Sequence, residues 1–138
     1  MNRRPLALLA AFILLAALGG CGRASDELEK MTREARPAFT LSGEELFRDY
    51  SDRDAGDKKY KEKILQVSGP VVRIRSNVAN DRVLLLRGAE HAGDIQCHFF
   101  DSYSEQVSKL RPGDKLTVRG KCTGKIINVI LDPCVIIP

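Results

Sequence analysis

A single stretch, ILQVSGPVVRIR from Ile64 to Arg75, decides the fold of this chain, and we interpret it as one long, bent β-strand. Under the two-residue period of a strand, two apolar pairs within it have opposite parity: Leu65 and Val67, then Val72 and Ile74. A slip of one residue between the pairs brings both onto one face. Gly69-Pro70 lies in that gap, and such residue pairs are typical of β-bulges and sheet corners. We therefore predict the bend at Gly69-Pro70.

Two further strands are predicted directly after this one. The stretch from Arg82 to Arg87 is apolar on both parities, so the sequence leaves its inward face open. In the stretch from Asp94 to Phe100, alternation predicts that Ile95, Cys97 and Phe99 point inward. Gln96, His98 and Phe100 would then point outward.

Two more strands are predicted near the C-terminus. Lys115 to Cys122 alternates, with Leu116 and Val118 inward. A turn at residues 123–125 leads into a fifth strand, Ile126 to Leu131, which continues as an apolar segment from Cys134 to Ile137.

Two capping boxes indicate where helices begin. Ser42 with Glu45 predicts a helix that ends near Tyr50, before the strands. Ser102 with Glu105 predicts a short helix between the third and fourth strands. The acidic stretch from residue 52 to residue 57 is predicted to be a loop.

The order of these elements predicts the fold. Three strands, a helix and two strands, preceded by an N-terminal helix, is the order of an OB-fold, a five-stranded Greek-key barrel. The fold class is therefore mainly β, and the predicted domain spans residues 42–138.

The stretch from Ser42 to Ile137 also resembles the tRNA_anti-like family of small OB-fold domains, which often follow lipoprotein signals. The motifs that carry the resemblance are Glu45-Leu46, Tyr50, Lys59 to Lys63, Val67 to Gly69, Val71, Gln96 to Phe99, Leu110 to Asp114, Val118 to Cys122 and Cys134 to Ile136. The family name records a likeness to a tRNA anticodon-binding module. The resemblance thus implies the fold, and is not in itself evidence of tRNA binding.

The first twenty residues resemble a bacterial lipoprotein signal peptide. Arg3 and Arg4 precede an apolar run of 13 residues, Leu6 to Leu18, which is short for a membrane span. The following Leu18-Gly19-Gly20-Cys21 resembles the lipobox, so we expect cleavage before Cys21 and lipid attachment to its thiol. The alternative is an ordinary secretory signal with an incidental cysteine.

The segment after the signal is polar, and we predict a lipidated N-terminus and flexible tether over residues 21–41. The sequence does not decide whether residues 26–36 form a transient helix. Gly22 after the lipobox resembles the sorting pattern for the outer membrane. The predicted location is therefore the bacterial cell envelope, lipid-anchored, facing the periplasm.

Three cysteines remain after the signal is removed: Cys97, Cys122 and Cys134. A bridge within the last hairpin is excluded, because about seven residues at ~3.3 Å each separate Cys122 from Cys134, beyond the ~7 Å Cα limit. The OB-fold resemblance implies that strands three and five are parallel neighbours, which favours a Cys97–Cys134 disulfide with Cys122 free and buried. Three reduced, buried cysteines are the alternative.

Charge and motifs narrow the function. Without Arg3 and Arg4 the basic residues number 20 against 18 acidic ones, which is no polyanion-binding signature by itself. Cys97 and His98 are adjacent on a strand and face opposite ways, so they form neither a nucleophile pair nor shared metal ligands. We predict that the protein is not an enzyme and holds no metal or cofactor.

Three functions remain open, of which the third is a structural or assembly factor with no separable ligand, which the sequence does not distinguish from the first. The first is a lipid-anchored envelope module that presents its barrel to a protein or glycan partner. The second is binding of single-stranded nucleic acid, because OB-folds bind single strands by stacking beside a basic groove. The candidate ligand-binding face comprises Arg73, Arg75, His98, Phe100, Arg119 and Lys121.

Overall fold

The computed structural model of the 138-residue chain describes residues 20–76 and 82–138. Five strands close into a barrel: β2 (Ile64–Ser76), β3 (Arg82–Ala89), β4 (Gly93–Phe99), β5 (Lys115–Lys125) and β6 (Val129–Ile137). β2 pairs antiparallel with β5 through its first half and with β3 through its second. β4 runs parallel to β6. This barrel, with helices before it and between strands, confirms the predicted OB-fold. The sequence of residues 76–81 is typical of a turn; Ser76 is the last residue of β2, and residues 77–81 lie outside the described residues.

The bend in β2 lies at Val72, so the prediction of a bulge at Gly69-Pro70 was wrong. The pairing with β3 changes register between Val71 and Arg73. Val71 is buried and Ile74 packs against the core, so the inward parity changes across Val72. Gly69 and Pro70 keep regular pairing with β5. The extra residue is needed only after Pro70, where the strand leaves β5 for β3.

Helix α2 (Gly43–Asp49) begins at the predicted capping box. The Glu45 N–H donates to Ser42 Oγ at 3.1 Å, and the Ser42 N–H donates to the Glu45 carboxylate at 3.0 Å. These two bonds satisfy amides that have no partner within the helix. Leu46 is fully buried, so the helix covers the barrel with its apolar side.

Helix α3 (Arg53–Tyr60) occupies the stretch that was predicted to be an acidic loop. The helix has its own cap, because the Ala55 N–H donates to the Asp52 carboxylate at 3.2 Å. At its other end the buried Tyr60 ring stacks on Tyr50, with centroids 6.0 Å apart, and its hydroxyl donates to Asp49. Tertiary packing of one tyrosine therefore holds a helix that residue spacing did not predict.

The helix between β4 and β5 is shorter than predicted and begins differently. A 3₁₀ turn (Asp101–Tyr103) leads into α4 (Ser104–Ser108), which has no side-chain cap. Ser102 was predicted to cap this helix, and instead its hydroxyl donates to Glu29, far away in sequence, at 2.7 Å. Val107 is fully buried and fixes the helix on the barrel.

The segment before the barrel is folded, whereas residues 21–41 were predicted to be a flexible tether. Helix α1 (Gly20–Glu34) contacts β5 and β6, and strand β1 (Phe39–Ser42) pairs parallel with the first half of β2. Thr32 is buried against the barrel. The polar composition of this segment suggested solvation, but its contacts with the barrel are themselves polar.

The core lies inside the barrel and under α2 and α3. Its largest fully buried side chains are Tyr50, Tyr60, Leu46, Leu65, Leu84, Leu86, Ile95 and Leu131. Leu116 and Val118 are buried as predicted. Gly120 of β5 lies tightly against β6, because a Cβ there would stand 2.5 Å from the Cys134 sulfur and 2.8 Å from the Pro133 carbonyl oxygen.

Candidate ligand-binding groove

An open groove crosses the outer face of four strands. Cross-strand pairing links Arg73 to Leu85, Leu85 to Gln96 and Gln96 to Ile130, so these four residues form one continuous row. The groove has a volume of about 530 Å³ and is lined by this row and by the segment between β5 and β6: Val72, Arg73, Arg75, Leu85, Asp94, Gln96, Ile126, Ile127, Asn128 and Ile130. OB-folds bind oligonucleotides and oligosaccharides on this part of the barrel.

One wall of the groove is basic. Arg73 and Arg75 are exposed and lie two residues apart on the second half of β2. Their outward direction follows from the bulge at Val72, since Ile74 between them faces the core. Without the bulge, the inward parity of Val71 would continue to Arg73 and Arg75, so the extra residue is what turns the two arginines outward.

The floor of the groove is a chain of polar side chains. The Asp94 N–H donates to Asn128 Oδ1 at 2.9 Å, and Asn128 Nδ2 donates to Gln96 Oε1 at 3.2 Å. The Gln96 amide donates in turn to His98 Nε2 at 2.8 Å. The Asp94 backbone amide and the three side chains thus form one continuous hydrogen-bonded chain, which holds the floor in a defined arrangement.

An apolar lip stands opposite the arginines. Ile126 is 77% exposed and Ile127 is 71% exposed, in the short connection between β5 and β6. The Ile126 N–H donates to the Asn128 carbonyl at 3.3 Å, which closes a tight turn. Adjacent isoleucines this exposed are unusual on a small domain, and such patches mark interaction sites.

The connection that carries this lip differs from the prediction. Residues 123–125 were expected to form the turn, and Ile126 to begin the fifth strand. Instead β5 continues through Lys125 and β6 begins at Val129. Gly124 allows this extension, because it adopts a φ of +115°, which residues with a side chain rarely take.

The six residues of the predicted ligand-binding face fall into separate places. Arg73 and Arg75 line the groove, and His98 bonds to Gln96 on its floor. Phe100 is half-buried at the start of the 3₁₀ turn and is not among the lining residues. That these residues bind a ligand stays a prediction.

The other two residues of the predicted face, Arg119 and Lys121 of β5, lie on a different face, beside the first half of β2. Arg119 donates to the carbonyl oxygen of Arg33 on α1 and to Gln66 Oε1, the latter at 2.7 Å. Lys121 forms an ion pair with Glu62 at 3.0 Å. Strand alternation alone could show that these side chains point outward. It could not show that both already bond to other parts of the chain.

Sequence reasoning missed Asn128 and the isoleucine lip. Their role depends on where the β5–β6 turn falls, and this cannot be read from an apolar run. Asp94 and Gln96 could have been found from the sequence. Both have the same parity as His98 in the predicted third strand, so alternation places all three on the outward face.

The three cysteines are free thiols in the structure, and all are buried. Cys97 and Cys134 lie on the parallel neighbours β4 and β6, where Phe99 pairs with Cys134. Burial, with the adjacent Cys97 thiol, raises the pKa of the Cys134 thiol well above its ordinary value. The Cys97–Cys134 disulfide stays a prediction.

Cys122 contacts a different part of the core, with its sulfur 3.4 Å from the Tyr50 hydroxyl. Burial raises its pKa as well. The raised pKa values of Cys122 and Cys134 keep these two thiols protonated, and therefore poorly nucleophilic, at neutral pH.

Metal and membrane features are also defined for the described part of the chain. Residues 20–76 and 82–138 contain no group of three or more histidine, cysteine or acidic side chains placed to hold a metal ion. Within those same ranges, no helix is long and apolar enough to cross a membrane. Lipid attachment at Cys21 stays a prediction.

The tRNA_anti-like family model matches residues 1–135 of this chain. The chain belongs to the tRNA_anti-like family. The predicted resemblance is thereby confirmed, and with it the OB-fold class. A comparison with curated protein sequences found no match.

Some solved structures are similar to this chain. One is a lipoprotein from Klebsiella pneumoniae named as a candidate nucleic acid-binding protein, with a TM-score of 0.56 and 17% identity. The match covers 71% of this chain and 91% of that one. Another is a chain of the S. pombe Stn1-ten1 complex, with a TM-score of 0.41, 18% identity and coverage of 54% and 57%. At 17% identity, the likeness to the Klebsiella pneumoniae lipoprotein shows the fold alone.

Proposed function

We propose that this protein is a non-enzymatic, lipid-anchored module of the bacterial envelope that binds a protein partner in the groove across β2, β3, β4 and β6. The observation that carries the proposal is the pairing of two exposed isoleucines with two exposed arginines across one groove. An extended segment with apolar and acidic side chains would match both walls.

The lining favours a protein over a glycan. Sugar and nucleobase sites usually offer aromatic rings for stacking. The side chains that line this groove are aliphatic, amide or charged. Residues 77–81, between β2 and β3, also contain no aromatic residue. Aliphatic side chains beside a basic wall are better suited to a polypeptide, whose own apolar residues they can bury.

The lipobox-like sequence that ends at Cys21 supports a location in the cell envelope. The similarity in fold to a Klebsiella pneumoniae lipoprotein is consistent with it. The outer membrane, facing the periplasm, is the location we propose, because Gly22 follows the cysteine.

Site-specific photocrosslinking in intact cells tests the proposal. A photoreactive residue at Ile127 should give a discrete protein adduct, while one at Lys109, an exposed residue directly after α4, should not. Arg73→Glu should abolish the adduct at position 127, and Lys115→Glu, an equal charge change outside the groove, should leave it intact. Identical adducts from positions 127 and 109, or insensitivity to Arg73→Glu, would refute a specific groove.

Single-stranded nucleic acid is the second candidate ligand. It is favoured by the position of Arg73 and Arg75 on the face that OB-folds use for oligonucleotides. Fluorescence anisotropy with labelled single-stranded DNA decides this case. Two arginine–phosphate contacts would give a log–log salt dependence with a slope of about −1.4. Failure to bind at low salt, where such contacts are strongest, removes this candidate.

A further inference from the structure

Helix α1 exposes its large apolar side chains and buries a polar one. Leu28 is 48% exposed and Met31 is 60% exposed, whereas Thr32 of the same helix is only 4% exposed. A surface helix of a globular domain normally turns its apolar stripe to the core. The apolar side of α1 is therefore left over after the helix has docked on the barrel.

The docking contacts of α1 are polar. Glu29 accepts a hydrogen bond from the Ser102 hydroxyl at 2.7 Å, and the carbonyl oxygen of Arg33 accepts one from Arg119. Glu29 also forms an ion pair with Arg33 at 2.8 Å. These bonds fix the rotation of the helix about its axis, so its apolar stripe cannot turn toward the barrel without breaking them.

The spacing along α1 connects this stripe to the predicted lipid anchor. Positions 24, 28 and 31 are separated by four and three residues, so they lie on one side of the helix. They hold Ala24, Leu28 and Met31. The stripe thus begins three residues after Cys21, the residue that would carry the acyl chains, and extends for seven residues, about 10 Å.

We propose that α1 lies flat in the membrane interface, with Leu28 and Met31 inserted among the lipids beside the acyl chains of Cys21. The inference rests on the lipid anchor of the proposed function. A helix that begins at an anchored residue and has an apolar stripe along its length is stabilised by lying in the interface plane. Because α1 is fixed to the barrel, the barrel then has a defined orientation on the bilayer.

The charges of the segment define the type of membrane contact. Residues 20–36 contain four basic and four acidic side chains, so they carry no net charge. Insertion of the stripe should therefore depend on apolar contact and not on anionic lipid, unlike the binding of a basic amphipathic helix.

Depth-dependent fluorescence quenching tests this orientation. The full chain is purified from membranes, its covalent lipid is verified by mass spectrometry, and it is placed in phosphatidylcholine vesicles that contain nitroxide-labelled lipid. A fluorescent amino acid replaces Met31 or, as the matched control, the exposed neighbour Lys30. Quenching should be at least threefold stronger at position 31 than at position 30, and salt should not change the difference.

The outcomes separate this inference from the anchor itself. If the lipid is present and quenching is equal at the two positions, α1 does not lie on the membrane, and the inference alone is overturned. If Met31 is shielded by a second copy of the chain, crosslinking between copies without quenching overturns it as well. If the purified chain has no lipid, the anchor and the inference fail together.

Discussion

Gly120→Ala should destabilise the barrel, because the new methyl group meets the buried Cys134 side chain and the Pro133 backbone of β6. Its Cβ would lie 2.5 Å from the Cys134 sulfur and 2.8 Å from the Pro133 carbonyl oxygen, whereas ordinary contacts begin near 3.4 Å. β5 and β6 would have to separate by about 0.6–0.9 Å at this point. Overpacking of this kind costs about 1–3 kcal/mol. For a domain of roughly 100 residues, a loss of 2 kcal/mol lowers the melting temperature by about 10 °C.

Gly69→Ala is the matched control, because Gly69 lies on β2 in the same β2–β5 ladder. A Cβ at Gly69 meets nothing closer than 3.9 Å. Alanine there restricts the unfolded chain without crowding the folded one, so stability should stay within about 0.5 kcal/mol or rise slightly. Thermal unfolding followed by circular dichroism measures both variants. Equal melting temperatures for Gly120→Ala and the parent, or an equal loss in both variants, would refute the packing described here.

Three further predictions concern acid sensitivity, thiol pairing and the anchor. The hydrogen bond from the Tyr60 hydroxyl lowers the pKa of Asp49. This bond therefore stabilises the folded state at neutral pH, and the stabilisation is lost as pH falls below about 4 and the carboxylate is protonated. Tyr60→Phe should therefore be less stable than the parent at pH 7, with the gap narrowing at pH 2–3 in urea titrations, and a constant gap would contradict this. Non-reducing peptide mapping of the mature protein should recover Cys97 linked to Cys134, and three free thiols would reject the bond. Cys21→Ser should leave an unprocessed or soluble precursor, and continued palmitate incorporation by the variant would disprove the lipid site.

The element order and strand alternation were enough to predict the barrel. The capping box at Ser42 and the inward residues of β5 followed from local rules that act within a few residues. These rules failed where a distant residue decides the local structure. Ser102 has a capping sequence, yet its hydroxyl bonds to Glu29, and helix α3 depends on the packing of Tyr60.

The candidate groove was only partly predictable for a related reason. Strand alternation indicated that Arg73 and Arg119 both point outward. However, Arg73 lies on the second half of β2, whereas Arg119 of β5 lies beside the first half, so only Arg73 reaches the groove. The fate of Arg119 depends on α1, a segment whose composition suggested solvation. The position of the isoleucine lip depends on the extension of β5 through Gly124, which a run of apolar residues does not reveal.

The bulge at Val72 has a consequence for how such a protein can change during evolution. Substitutions at Arg73 or Arg75 alter only the outer face, so ligand preference can drift while the interior is left intact. Deletion of one residue at the bulge would rotate both arginines inward and Ile74 outward, because strand parity inverts with a single step. We therefore expect relatives to vary in the composition of this half of β2 far more readily than in its length.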